Sequence, residues 1–168
     1  MPETVIIIIA LYIIIVFILI RLFIPHFGFK CKSLPDKIPL EMEKVINELK
    51  SKAKSAGEFL ALAYDYLGSK YRSERFNTVL KFHYLFKDLD EVWTRSGYLP
   101  CSQSNYIMKI FLTRSGFFRA SDIKTKHVFV NFVPHQYLRL KINKQWIDID
   151  VGEKQRGLPI GRHLKFFG

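Results

Sequence analysis

Residues 135–151 read HQYLRLKINKQWIDIDV. Polar and apolar side chains alternate on either side of Asn143-Lys144, the signature of two half-buried strands joined by a tight turn. A two-residue loop pairs Ile142 with Gln145, and counting outward from it sets the register. Lys141 falls opposite Trp146, Arg139 opposite Asp148 and Tyr137 opposite Asp150, all on one face because side chains alternate along a strand. Leu138, Leu140, Ile142, Ile147, Ile149 and Val151 take the other face, which is core. His135 joins the polar face, diagonal to Asp150 at roughly 7 to 8 Å between backbones. The two carboxylates then divide. Asp148 has a cross-strand partner in Arg139, which leaves Asp150 to accept a ring N–H from His135 and hold its tautomer.

Upstream, KHVFVNFV (126–133) reads as a buried strand and CSQSNYIMKIFLTRSGFF (101–118) as a helix. In that helix Tyr106, Ile107, Ile110 and Phe111 form an apolar face, Cys101 or Ser102 sits in the cap region after Pro100, and Gly116 is placed to stop it. Cys101 therefore opens a helix. A thiol there feels the partial positive charge of unpaired amides, and a neighbouring imidazolium pushes it further towards thiolate. Alone, a free cysteine is usually a small buried hydrophobe, and a lone His–Asp pair is usually structural. A thiol, an imidazole and a carboxylate together are the parts of a nucleophilic triad.

The rest of the chain frames these elements. PLEMEKVINELKSKAKSAGEFLALAYDYLGSKYR (39–72) carries apolar residues at helical spacing and reads as two helices or one broken near Gly57. The aromatic-rich stretch before Pro100 predicts a helix over Thr78–Phe86 and then a loop. At the N-terminus, Val5 to Ile24 is an apolar run of about the length a helix needs to cross roughly 30 Å of hydrocarbon, with Arg21 placed to snorkel and Pro25 to end it. The expected organisation is a transmembrane anchor over 1–25, a linker over 26–39 and a folded domain over 40–168. Glu3 and Arg21 are the only Asp, Glu, Lys or Arg before Lys30, so the net charge of +11 belongs to residues 30–168. Arg21, Lys30, Lys32 and Lys37 at the C-terminal end of the run favour a single-pass membrane protein with its domain on the cytoplasmic side. Both cysteines, Cys31 and Cys101, are expected as free thiols, with juxtamembrane Cys31 a candidate for acylation.

One family fits these spacings. Cys101 opening a helix, TRSGFFR after it, His135 thirty-four residues beyond the cysteine, and Trp146 and Asp150 eleven and fifteen beyond the histidine resemble the transglutaminase-like superfamily of papain-type fold, over about Phe76 to Val151. Tyr137 stands where the family pattern has a tryptophan. The sequence departs from that pattern in LPC before the cysteine, where Gly97 is the nearest glycine, in an Asn-Lys rather than an Asn-Gly turn, and in an Arg119 one residue close to Gly116. The resemblance implies an α+β fold, helices packed on an antiparallel sheet. It implies catalytic Cys101, His135 and Asp150, a thioester intermediate, a protein or peptide substrate, and no cofactor. The backbone N–H of Cys101 is the natural oxyanion donor, with Trp93 and Gln103 as candidates for a second.

The expected function is thus a membrane-anchored cysteine hydrolase or acyltransferase acting on peptide or isopeptide amides. The competing expectation is a catalytically inactive basic module that binds an anionic partner or an anionic lipid surface. No GxxxxGK[ST] or GxGxxG sequence is present, which argues against nucleotide chemistry. His127, His135 and Cys101 lack the close-spaced pairs of a zinc site, so no metal is expected, and nucleic acid ranks below a protein substrate as partner.

Overall fold

The computed structural model describes residues 2–27, 33–74, 77, 80–130 and 133–165. Among the described residues the elements bounded at both ends run in the order α1 (Pro2–Phe27), α2 (Leu40–Lys52), α3 (Ala56–Lys70), β1 (Tyr71–Arg72), α4 (Leu89–Trp93), β2 (Gly97–Tyr98), α5 (Cys101–Arg114), β3 (Ile123–Val130), β4 (Val133–Ile142) and β5 (Gln145–Ile149). Short 3-10 turns lie at Phe82–Phe86, Ala120–Asp122 and Val151–Arg156. The architecture is α+β. β3, β4 and β5 form an antiparallel sheet in chain order, and β1 pairs with β2 in parallel.

The hairpin has the register that alternation dictates. Leu138 lies opposite Ile149, Arg139 opposite Asp148, Leu140 opposite Ile147, Lys141 opposite Trp146 and Ile142 opposite Gln145. Leu138, Leu140, Ile149 and Val151 are sealed in the core, where they meet Ile107, Ile110 and Phe111 of α5 and Phe59, Leu60 and Leu67 of α3. Asn143 and Lys144 both have positive φ, 49° and 67°, the backbone of a type I′ turn that favours glycine at its second position. Lys144→Gly is therefore expected to stabilise the protein by about 1 kcal/mol, read as a rise in thermal midpoint.

The two-helix alternative holds for residues 39–72. Ser55 breaks the chain between α2 and α3, its hydroxyl accepting from the Glu58 amide at 3.2 Å as an N-cap. Three other expectations are corrected. β3 starts three residues earlier than the expected strand, ends at Val130 and is not buried. Lys124, Lys126, His127 and Phe129 are exposed along it, because β3 is an edge strand with only β4 beside it among the described residues. Of the helix expected over Thr78–Phe86, Leu80 is α-helical but Phe82–Phe86 is a 3-10 turn, anchored from outside by Gln103, and Thr78 and Val79 lie outside the described residues.

The third correction concerns the N-terminus. The backbone stays helical through Pro25 to Phe27, although a stop was expected there. Among the described residues no helix is long and apolar enough to cross a membrane. That finding overturns the transmembrane anchor, the single-pass membrane localisation and the cytoplasmic placement that followed from it. Cys31, with its expected acylation, lies outside the described residues, as does part of the 26–39 linker.

Candidate active site

α5 brings the thiol. Pro100 precedes it in extended backbone, and β2 just upstream is tied down by its pairing with β1 and by the Leu99 amide donating to Arg72 O at 3.0 Å. Cys101 is the first helical residue and is partly exposed. The amides of Gln103 and Ser104 already donate to Pro100 O, each at 3.0 Å. Those of Cys101 and Ser102 come too early in the helix to have an intrahelical acceptor, so they are donors aimed out of its positive end.

β4 brings the imidazole. Asn105, one turn below Cys101 on the same helix, is 2 % exposed, and its Nδ2 donates to Gln136 O at 2.7 Å. This bond clamps the nucleophile's helix to the residue next to His135. The end of β5 brings the carboxylate. Asp150 is 1 % exposed and its Oδ2 lies 2.7 Å from His135 Nε2, so the Nε2–H donates and the ring's other nitrogen faces elsewhere. The Cys101 thiol lies near enough to the same ring to act on its protonation. The structure thus brings together all three residues singled out by sequence.

Burial by itself would drive the His135 pKa down. The hydrogen bond to Asp150, with the nearby Cys101 side chain and the Asp150 charge, outweighs it and raises the pKa to about 10. At neutral pH the ring is an imidazolium beside the thiol.

Asp150 is held from several sides. The Leu164 amide donates to its Oδ2 at 3.3 Å. Behind it, Tyr64 Oη donates to Leu158 O at 2.5 Å, and its pKa is raised by burial and then by the charge of Asp150. Gly152 lets the chain after Asp150 lie against Ser73, whose side chain a Cβ there would strike at 2.8 Å, while the Ser73 amide donates to Gly152 O at 2.9 Å.

Asp148 is a separate device. Arg139 donates to it from Nε and Nη2 at 2.6 and 3.1 Å, and His163 Nδ1 lies 2.9 Å from its Oδ2. Burial raises the Asp148 pKa, but these two partners more than reverse that and hold it below the usual carboxylate range. His163 also stacks on Tyr137, centroids 4.1 Å apart and rings within 3° of parallel. The C-terminal segment is therefore strapped across the β4–β5 hairpin.

Sequence reasoning missed Asn105, Glu153, His163 and the Leu164 amide. Glu153 is fully buried three residues past Asp150, with Oε2 2.7 Å from Arg156 Nη1 and Oε1 without a partner among the described residues. Burial raises its pKa against the pull of Arg156. Its spacing from Asp150 was the only signal available. The candidates for a second oxyanion donor fall away: Gln103 Nε2 donates to Tyr84 O and Leu85 O, both at 3.2 Å, and Trp93 is buried beneath the Lys70 ammonium. The Ser102 amide, too early in the helix for an intrahelical acceptor, is the donor beside that of Cys101. No group of three His, Cys, Asp or Glu side chains is set to hold a metal among the described residues. No family model matches the chain, and neither does a curated protein or a solved structure, so the functional argument rests on this geometry alone.

Proposed function

We propose that the protein is a cysteine hydrolase or acyltransferase that opens peptide or isopeptide amides through a thioester. The observation that carries the reading is the buried 2.7 Å contact between His135 and Asp150 with the Cys101 thiol near the same ring. The Cys101 thiolate attacks the amide carbonyl carbon, and the carbonyl oxygen becomes an anion facing the amides of Cys101 and Ser102. Collapse breaks the C–N bond as the His135 imidazolium gives its proton to the leaving amine. A thioester and a neutral imidazole remain. Water or a second amine then attacks the thioester while His135 takes the proton, and the thiolate leaves. Asp150 holds the ring and compensates its charge.

Alkylation tests the nucleophile without a known substrate. In a Cys31→Ser background, which leaves Cys101 the sole thiol, iodoacetamide at pH 7 is expected to react roughly tenfold faster than with an unstructured thiol, because the helix start and the neighbouring imidazole make Cys101 the stronger nucleophile. His135→Ala is expected to return the rate to that of the unstructured thiol. A rate indifferent to His135 defeats the reading.

A further inference from the structure

The face of the sheet that carries His135 continues as a cationic ledge. The register places Val128 opposite His135, Lys126 opposite Tyr137 and Lys124 opposite Arg139. Lys126 is therefore the diagonal neighbour of His135, roughly 7 to 8 Å away between backbones. Farther along the same face Lys141 sits opposite Trp146. Lys124 and Lys141 lie 4.4 and 6.0 Å from the centroid of that indole, which is 39 % exposed.

The carboxylates on this face are consumed. Asp148 is taken by Arg139 and His163, and Asp150 by His135 and the Leu164 amide. Among the described residues none of the three exposed lysines has a carboxylate within ion-pairing distance, the paired lysines being Lys44, Lys52, Lys87 and Lys154. Lysines on an exposed edge strand guard against strand-to-strand aggregation, which accounts for Lys124 and Lys126 on β3. It does not account for Lys141 on the central strand, nor for an exposed tryptophan between lysines.

We infer that this ledge docks an acidic polypeptide, extending the proposed function by naming the class of its substrate and resting on that function. The segment around His163 covers β5 and, at Tyr137, β4 as well, so the open path runs along β3 and reaches β4 at Lys141. At about 3.3 Å per residue an extended chain whose scissile amide lies at Cys101 presents an acidic side chain to Lys126 about two residues away, and another to Lys141 about six residues away. The ring of Trp146 gives that chain an apolar platform.

The test uses the full chain carrying Cys101→Ala, so that no covalent capture intervenes, and fluorescence anisotropy of a labelled decaglutamate. Lys126→Glu/Lys141→Glu is expected to weaken binding more than tenfold. Lys50→Glu/Lys54→Glu, the same change of charge on and just beyond α2, is expected to weaken it less than twofold. Equal losses in both double variants would mean that only net charge is being read and would overturn the proposal. Tighter binding of decathymidylate than of decaglutamate would also overturn it, in favour of a nucleic acid. Circular dichroism and an unchanged thermal midpoint show that Lys126→Glu/Lys141→Glu is folded. Failure of the amide-cleaving function shows separately, as an alkylation rate indifferent to His135.

Discussion

Cys101→Ala is expected to slow the hydrolysis of p-nitrophenyl acetate on the order of 10³-fold or more, and His135→Ala on the order of 10²- to 10⁴-fold. This acetyl ester serves as a general probe for a nucleophilic thiol because its leaving group departs without much help. Removal of the thiol leaves no group positioned to take the acetyl. Removal of the imidazole leaves the thiol without the cation beside it and without a proton acceptor for the deacylating water. Groups that act as one unit are strongly non-additive. The double variant Cys101→Ala/His135→Ala is therefore expected to be no slower than Cys101→Ala alone. Losses that multiply would mean that the two residues act independently, and the triad would be an accident of packing. The initial burst of p-nitrophenol, matched to the protein concentration, marks acyl transfer to Cys101 and disappears in Cys101→Ala.

The hairpin was the most legible part of the molecule because its two signals agree. Alternation assigns faces, and a two-residue turn assigns partners, so the pairing of Arg139 with Asp148 and the freedom of Asp150 to meet His135 follow by counting. The start of the Cys101 helix was legible for a local reason, a proline just before an apolar helical face. What escaped depends on contacts that no local pattern encodes. His163 reaches Asp148 from fifteen residues away with no strand to carry a register. Asn105 reads as one more polar residue on an amphipathic helix until β4 lies beside it and Gln136 O becomes its acceptor. The apolar alternation of β3 predicts burial, but burial needs a neighbour on each side, and β3 has one among the described residues. The N-terminal apolar run shows the same limit, since composition supplied the membrane reading and the described helix does not sustain it.

Asp150→Ala is expected to cost about 3 to 5 kcal/mol of stability at pH 7, the usual penalty for leaving one member of a buried ion pair without its partner. Two independent observations make the site sensitive. His135 and Asp150 are 7 % and 1 % exposed, so water cannot stand in for the lost carboxylate. Oδ2 also accepts from the Leu164 amide, and its removal strands that donor as well. The pH dependence follows from the raised His135 pKa. The unfolded histidine titrates near 6.5 and the folded one at about 10. A group whose pKa rises on folding contributes stability that is fully present below about 6.5 and is lost as pH climbs through about 10. Urea unfolding at pH 6, 8 and 10 is therefore expected to show the difference between wild type and Asp150→Ala shrinking as pH rises. Taking the difference cancels groups that titrate alike in both proteins, among them Lys70, whose pKa is lowered by burial. A difference that stays constant from pH 6 to 10 would show that Asp150 acts through packing and its amide bond alone. His135 would then be a neutral ring, and the charged thiolate–imidazolium pair would have no place in the mechanism.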